Sequence, residues 1–249
     1  MFEGGISMDP PIPYCGAAPS PEAWLGRWNF DPLLMAGLAA VAMMLWHPRL
    51  ARDGVRGLRS AWALAVLLYV SPLCALSSAF FTVRVLHHIA LVLVLAPLLA
   101  QGVRQQRVRV PLWPCTAIAA LVFWLWHAPA PYAAALSSSA LYWLMQFTLL
   151  ASATAFWLAV RRAGPALAMA AVLVTMVQMG LLGALITFAA RPLYEPHLAS
   201  TLAWGVSPLQ DQQTAGVLMW APASLAYLAA ALAIGWRWLH AQPWRGEAA

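Results

Sequence analysis

The residues able to do chemistry gather at a few places in an otherwise apolar chain. The stretch Asp211-Gln-Gln-Thr-Ala-Gly-Val-Leu-Met-Trp220 brings together an acid, two amides, a glycine and a methionine. On a helix, Asp211, Ala215 and Met219 follow one another down a single face. Gly216 falls on the neighbouring ridge, where its lack of a side chain lets another helix approach closely. His87 and His88 are adjacent, His127 closes the segment Trp124-Leu-Trp-His127, and His197 follows Tyr194 and Glu195. Imidazole and thioether donors suit copper, and the thioether favours the cuprous ion. The candidate metal ligands are therefore His88, His127, Met219, Asp211 and His87. Histidines and aromatics also serve as amphipathic anchors at a membrane interface, and this second reading stands beside the first. For Asp211 three roles are open: a direct ligand, an acceptor that orients an imidazole through its other ring proton, or the N-cap of its own helix.

These groups have to be held by elements of a membrane protein. Of 249 residues 63% are hydrophobic and 9% charged, against about 25% charged in a typical soluble domain. Uncharged runs that reach the roughly 17 to 25 residues of a transmembrane helix cover 61–81, 85–103, 110–126, 140–160, 165–190 and 212–236. A seventh, 28–46, is fully apolar only from Leu33 and carries Asp31 at its mouth. The expected fold is all-α: a polytopic bundle of seven transmembrane helices over 28–240, an irregular outer arm over 1–27, and a short cytoplasmic tail over 241–249. The first residues do not read as a cleaved signal, which would be basic and then apolar, because Glu3, Asp9, Glu22 and Asp31 face only Arg27.

Orientation follows from arginine, since the chain has no lysine. The first, third and fifth connections and the C-terminus hold eleven of the fourteen arginines, leaving Arg27, Arg84 and Arg191 for the other side. The positive-inside rule then puts the N-terminus outside and the C-terminus in the cytoplasm. His87, His88, His127, His197 and Asp211 all fall at outer helix ends or in outer loops. The net charge of +6 reads as topology and contact with anionic lipid rather than nucleic-acid binding.

Cys15, Cys74 and Cys115 show no CxxC spacing, so neither a zinc site nor a redox motif is indicated. Cys74 is at most an additional soft ligand. Pro72, Pro97 and Pro222 fall inside predicted helices and predict kinks there. No phosphate loop, HExxH or GxSxG is present, and the chain does not read as an enzyme.

From about Leu45 to Trp238 the sequence resembles the seven-span bacterial cytochrome c oxidase assembly factors of the CtaG type. The matching segments are Tyr69-Val-Ser-Pro-Leu73, His88 followed by Ala96-Pro-Leu98, Trp126-His127-x-Pro-x-x-Tyr132, Phe156-Trp157, Pro192-Leu-Tyr194 and Asp211-Gln-Gln-x-x-Gly216-x-x-Met219-Trp220. The resemblance implies an inner-membrane protein that engages subunits of a haem-copper oxidase and holds or hands over copper at the periplasmic face. Two departures stand out. Arg84 occupies a position where the family pattern has a histidine one turn before His88, and Gln146 stands near another expected histidine. Two other readings are compatible with the residues: a membrane electron carrier with His88 and His127 as axial haem ligands, and a small transporter using Asp211 on a kinked helix.

Overall fold

Helix is the only regular structure among the described residues of the computed structural model, which are 12–47, 54–102 and 110–241. We number the helices α1 (Pro32–Leu45), α2 (Val55–Val70), α3 (Leu73–Ala79), α4 (Phe81–Gly102), α5 (Leu112–His127), α6 (Pro129–Ser137), α7 (Ser139–Arg162), α8 (Pro165–Thr187) and α9 (Pro208–Ala241). Four of them, α4, α7, α8 and α9, are individually long and apolar enough to cross a membrane. The pairs α2+α3 and α5+α6 add two more if each bent pair is one span. The seventh expected span is the 14-residue α1, shorter than the roughly 17 residues a crossing needs. Its start is fixed by Asp31, whose carboxylate accepts from the Leu34 amide at 2.9 Å, followed by Pro32 at the first helical position.

Proline sets the breaks. A residue before proline is pushed out of the helical region. Ser71 (ψ 167°) before Pro72 and Ala128 (ψ 136°) before Pro129 are both extended. The chain turns by 49° at the first and by 73° at the second. The predicted kink at Pro72 is thus a full break, and the segment after His127, expected as an outer loop, is a nine-residue helix. Pro97 and Pro222 act more gently, through a π-helical turn at Leu91–Leu95 and another at Met219–Ala223. The first turn leaves the Val92 carbonyl to accept from the Trp157 indole at 2.7 Å.

The long helices pack in a bundle in which α8 lies along α9, α7 along α5 and the second half of α4, and the first half of α4 along the first half of α9. At the α8–α9 crossing a Cβ on Gly216 would sit 2.7 Å from the Gly183 carbonyl oxygen, and one on Gly183 would sit 2.8 Å from that of Gly216. Only glycine fits on either side. The outward faces carry exposed apolar side chains such as Leu121, Phe147, Leu185 and Leu232, as a lipid-facing bundle requires.

The described part of the N-terminal arm is tied to this bundle. Cys15 and Cys74 form a disulfide, which removes Cys74 from any ligand set and corrects its reading as an additional soft ligand. Tyr14 stacks on Tyr142 with ring centroids 4.9 Å apart. Trp204 donates to the Pro19 carbonyl at 3.1 Å, and Asn29 to that of Tyr69 at 3.1 Å. Arg49, Arg52, Arg104, Arg107, Arg109 and Arg245, which dominate the orientation argument, and all of the tail after Ala241 lie outside the described residues.

Candidate functional site

At one end of the bundle α4 presents Arg84, His87 and His88 to the interior. Residues at i, i+3 and i+4 share a helix face, and all three side chains are buried. From α5, His127 reaches the same interior. Its Nδ1 lies 2.7 Å from the Phe123 carbonyl, so Nδ1 carries the proton and Nε2 keeps a free lone pair. That Nε2 faces His88 Nδ1 at 3.5 Å, with the two rings nearly perpendicular. On the other side of His88, Gln146 of α7 places its Nε2 3.4 Å from His88 Nε2, while its Oε1 accepts from the Tyr69 hydroxyl at 3.0 Å. The result is a polar file from Tyr69 through Gln146, His88 and His127 to a backbone carbonyl. Gln146 therefore belongs to the same cluster as Arg84, so both departures from the family pattern fall at one place.

Of the predicted ligands, the structure brings His88 and His127 together. His87 does not face His127: its ring meets Tyr69 edge-on at 5.0 Å, with Gln146 beside it and neither nitrogen in good hydrogen-bond geometry. Met219 is fully buried at the start of the π-turn of α9, with its Cβ against Gly183 of α8. Among the described residues no three His, Cys, Asp or Glu side chains converge as a metal site.

Asp211 has a role that none of the three sequence readings contained. Its own helix is capped by a box in which Ser207 accepts from the Gln210 amide and Gln210 reaches back. The Asp211 carboxylate instead caps α4, accepting from the amides of Phe81 at 2.7 Å and Thr82 at 3.1 Å. Thr82 returns a hydroxyl bond to the Asp211 carbonyl at 2.7 Å. A carboxylate at a helix N-terminus satisfies orphan donors and complements the helix dipole. Gln212 completes a clasp, accepting from Leu193 at 2.6 Å and donating to the carbonyls of Ile186 and Arg191. The stretch that introduces polarity into α9 thus anchors the helix carrying Arg84, His87 and His88.

The loop between α8 and α9 closes the same end. Tyr194 donates to the His127 carbonyl at 2.7 Å and stacks on Phe81. His197 Nδ1 faces the Ala79 carbonyl at 3.3 Å, and its Nε2 lies 2.7 Å from the Tyr132 hydroxyl. This pattern needs a neutral imidazole, donating through Nδ1 and accepting at Nε2. Burial pushes the His197 pKa down to about 3, the charge of Arg84 acting in the same direction and the bond to Ala79 opposing.

Sequence reasoning missed the interior position of Arg84 and the tyrosines around it. Arg84 is 0% exposed, with its guanidinium carbon 5.2 Å from the centre of the Tyr142 ring. The signal was available: an arginine sharing a helix face with two histidines belongs inside with them.

Residues 103–241 match the family model for the cytochrome c oxidase caa3 assembly factor. The match spans α5 to α9, and so includes His127, Gln146, Asp211 and Met219; Arg84, His87 and His88 precede it. No curated protein and no solved structure matches the chain.

Proposed function

The chain belongs to the cytochrome c oxidase caa3 assembly factor family, and from that premise we propose that it helps build the copper-containing core of a haem-copper oxidase, with His88 and His127 taking copper as cargo. In this reading it is a multi-pass protein of the bacterial inner membrane whose polar end faces the periplasm, where it meets oxidase subunits. It performs no catalysis.

The observation that carries the copper reading is the His88–His127 pair. Two imidazole nitrogens 3.5 Å apart are spaced for one ion bound about 2 Å from each. The Phe123 carbonyl fixes the His127 tautomer with Nε2 free, as a ligating histidine requires. His88 would expose Nδ1 by moving its proton to Nε2, where Gln146 can turn its amide oxygen toward it. Haem is disfavoured by the same geometry, because axial ligands need a macrocycle between them and these two rings face each other directly. Asp211 and Gln212 support the pair indirectly by fixing α4 against α9.

Arg84 opposes a cation at this pair and lowers its affinity for copper without abolishing it. The reading is tested in cells lacking the chain, by purifying the oxidase and measuring its copper. The oxidase should be copper-depleted, restored by the wild-type chain and not by a His88→Ala, His127→Ala double variant that accumulates to the same level. Full oxidase copper without the chain would refute it.

A further inference from the structure

Arg84 is fully buried, and its guanidinium has only the neutral hydroxyls of Tyr132 and Tyr142 beside it, none of its three nitrogens meeting a partner in good hydrogen-bond geometry. One turn on, His87 is 3% exposed, with the Gln146 side chain beside it but neither ring nitrogen in good hydrogen-bond geometry. Such groups cost far more unsatisfied than satisfied, a charge most of all. The described carboxylates are committed elsewhere: Asp211 caps α4, Asp31 caps α1, and Glu22 and Glu195 are exposed. Tyr142 offers Arg84 a ring face and a hydroxyl, and Tyr132 a hydroxyl, but neither carries a formal charge. An ionisable side chain in the interior of a membrane bundle marks a functional site by default. Here the charge is positive and no carboxylate among the described residues meets it.

We propose that Arg84 and His87 hold a small monoanion, a halide or a carboxylate, inside the bundle among α2, α4 and α7. The guanidinium supplies the charge and a fork of N–H donors, and the neutral His87 imidazole supplies one more. A monoanion matches the one uncompensated positive charge; a dianion would leave an excess negative charge among the neutral rings of Tyr69 and Tyr142. The site does not depend on the copper reading. If that reading holds, the two are coupled, since an anion at Arg84 removes the repulsion that a cation meets at His88 and His127.

The test uses the full-length protein purified in detergent in sulfate, free of halide and carboxylate, with unfolding temperature followed at constant ionic strength as sulfate is exchanged for sodium bromide or sodium formate. Binding to the folded state alone raises the midpoint saturably. Wild type should show such a rise, about tenfold weaker in His87→Phe and lost in Arg84→Gln. A rise with bromide alone assigns a halide, and one with formate alone a carboxylate. If Arg84→Gln does not fold, the wild-type and His87→Phe titrations decide. No saturable rise in wild type, or the same rise in His87→Phe or Arg84→Gln, means an adventitious ion only and overturns the proposal.

Discussion

At the scale of single residues, the end of the bundle holds His127 and His197 in tautomers fixed by backbone carbonyls, near one buried cation. His197 shows the consequence for pH. The folded protein keeps it neutral with a pKa of about 3, whereas the unfolded chain protonates it near 6.5. Its contribution to stability is complete above pH 6.5 and is lost progressively as pH falls from there through about 3, at up to ~1.4 kcal/mol per pH unit. Acidification from pH 7.5 to 4.5 should therefore loosen the α8–α9 loop, read as faster proteolysis near Trp204, and His197→Gln should flatten that dependence. Identical pH profiles for the two proteins would contradict the assignment. The choice of His88 over His87 as the partner of His127 was legible in the sequence only through the family motif. Composition could not distinguish adjacent histidines, and the difference lies in which ring meets Tyr69 and which meets His127.

At the scale of elements, the Asp-Gln-Gln signature is a clasp, and its polarity is used on neighbouring helices. Asp211→Asn keeps an oxygen but places an amide N–H against one of the two backbone donors of α4. We expect it to destabilise the protein by about 1.5–3 kcal/mol, the range for a hydrogen bond to a charged group. Asp211→Ala should cost a comparable amount, and both variants should lower copper retention only to the extent that α4 loosens. A variant as stable as wild type would remove the clasp from the account. Gly216→Ala is a second test, because its Cβ would press on the Gly183 carbonyl and on Thr187. Overpacking of this kind costs roughly 1–3 kcal/mol, and an unchanged unfolding temperature would show that the two helices are not in contact there. The glycine approach was readable from spacing. The cap on α4 was not, because a residue that begins one helix gives no sign that it serves another more than a hundred positions earlier.

At the scale of the whole molecule, hydropathy located the long helices and misjudged what proline does between them. The apolar run from Ala61 to Phe81 conceals a 49° break, since hydropathy does not register the extended residue that Pro72 imposes. The orientation drawn from arginine has its own test. A cysteine at Ser138 should react with an impermeant thiol reagent from the periplasmic side, and one at Gln105 should not; the reverse pattern would turn the protein over. Because Cys15 and Cys74 are joined, neither should label before reduction. If His88 and His127 form the copper cargo site, elemental analysis of the purified protein after cuprous loading and desalting reads it out. Close to one copper per chain is expected in the wild type and in His87→Ala, and about tenfold less in His88→Ala and in His127→Ala. Equal copper in all four proteins would contradict it.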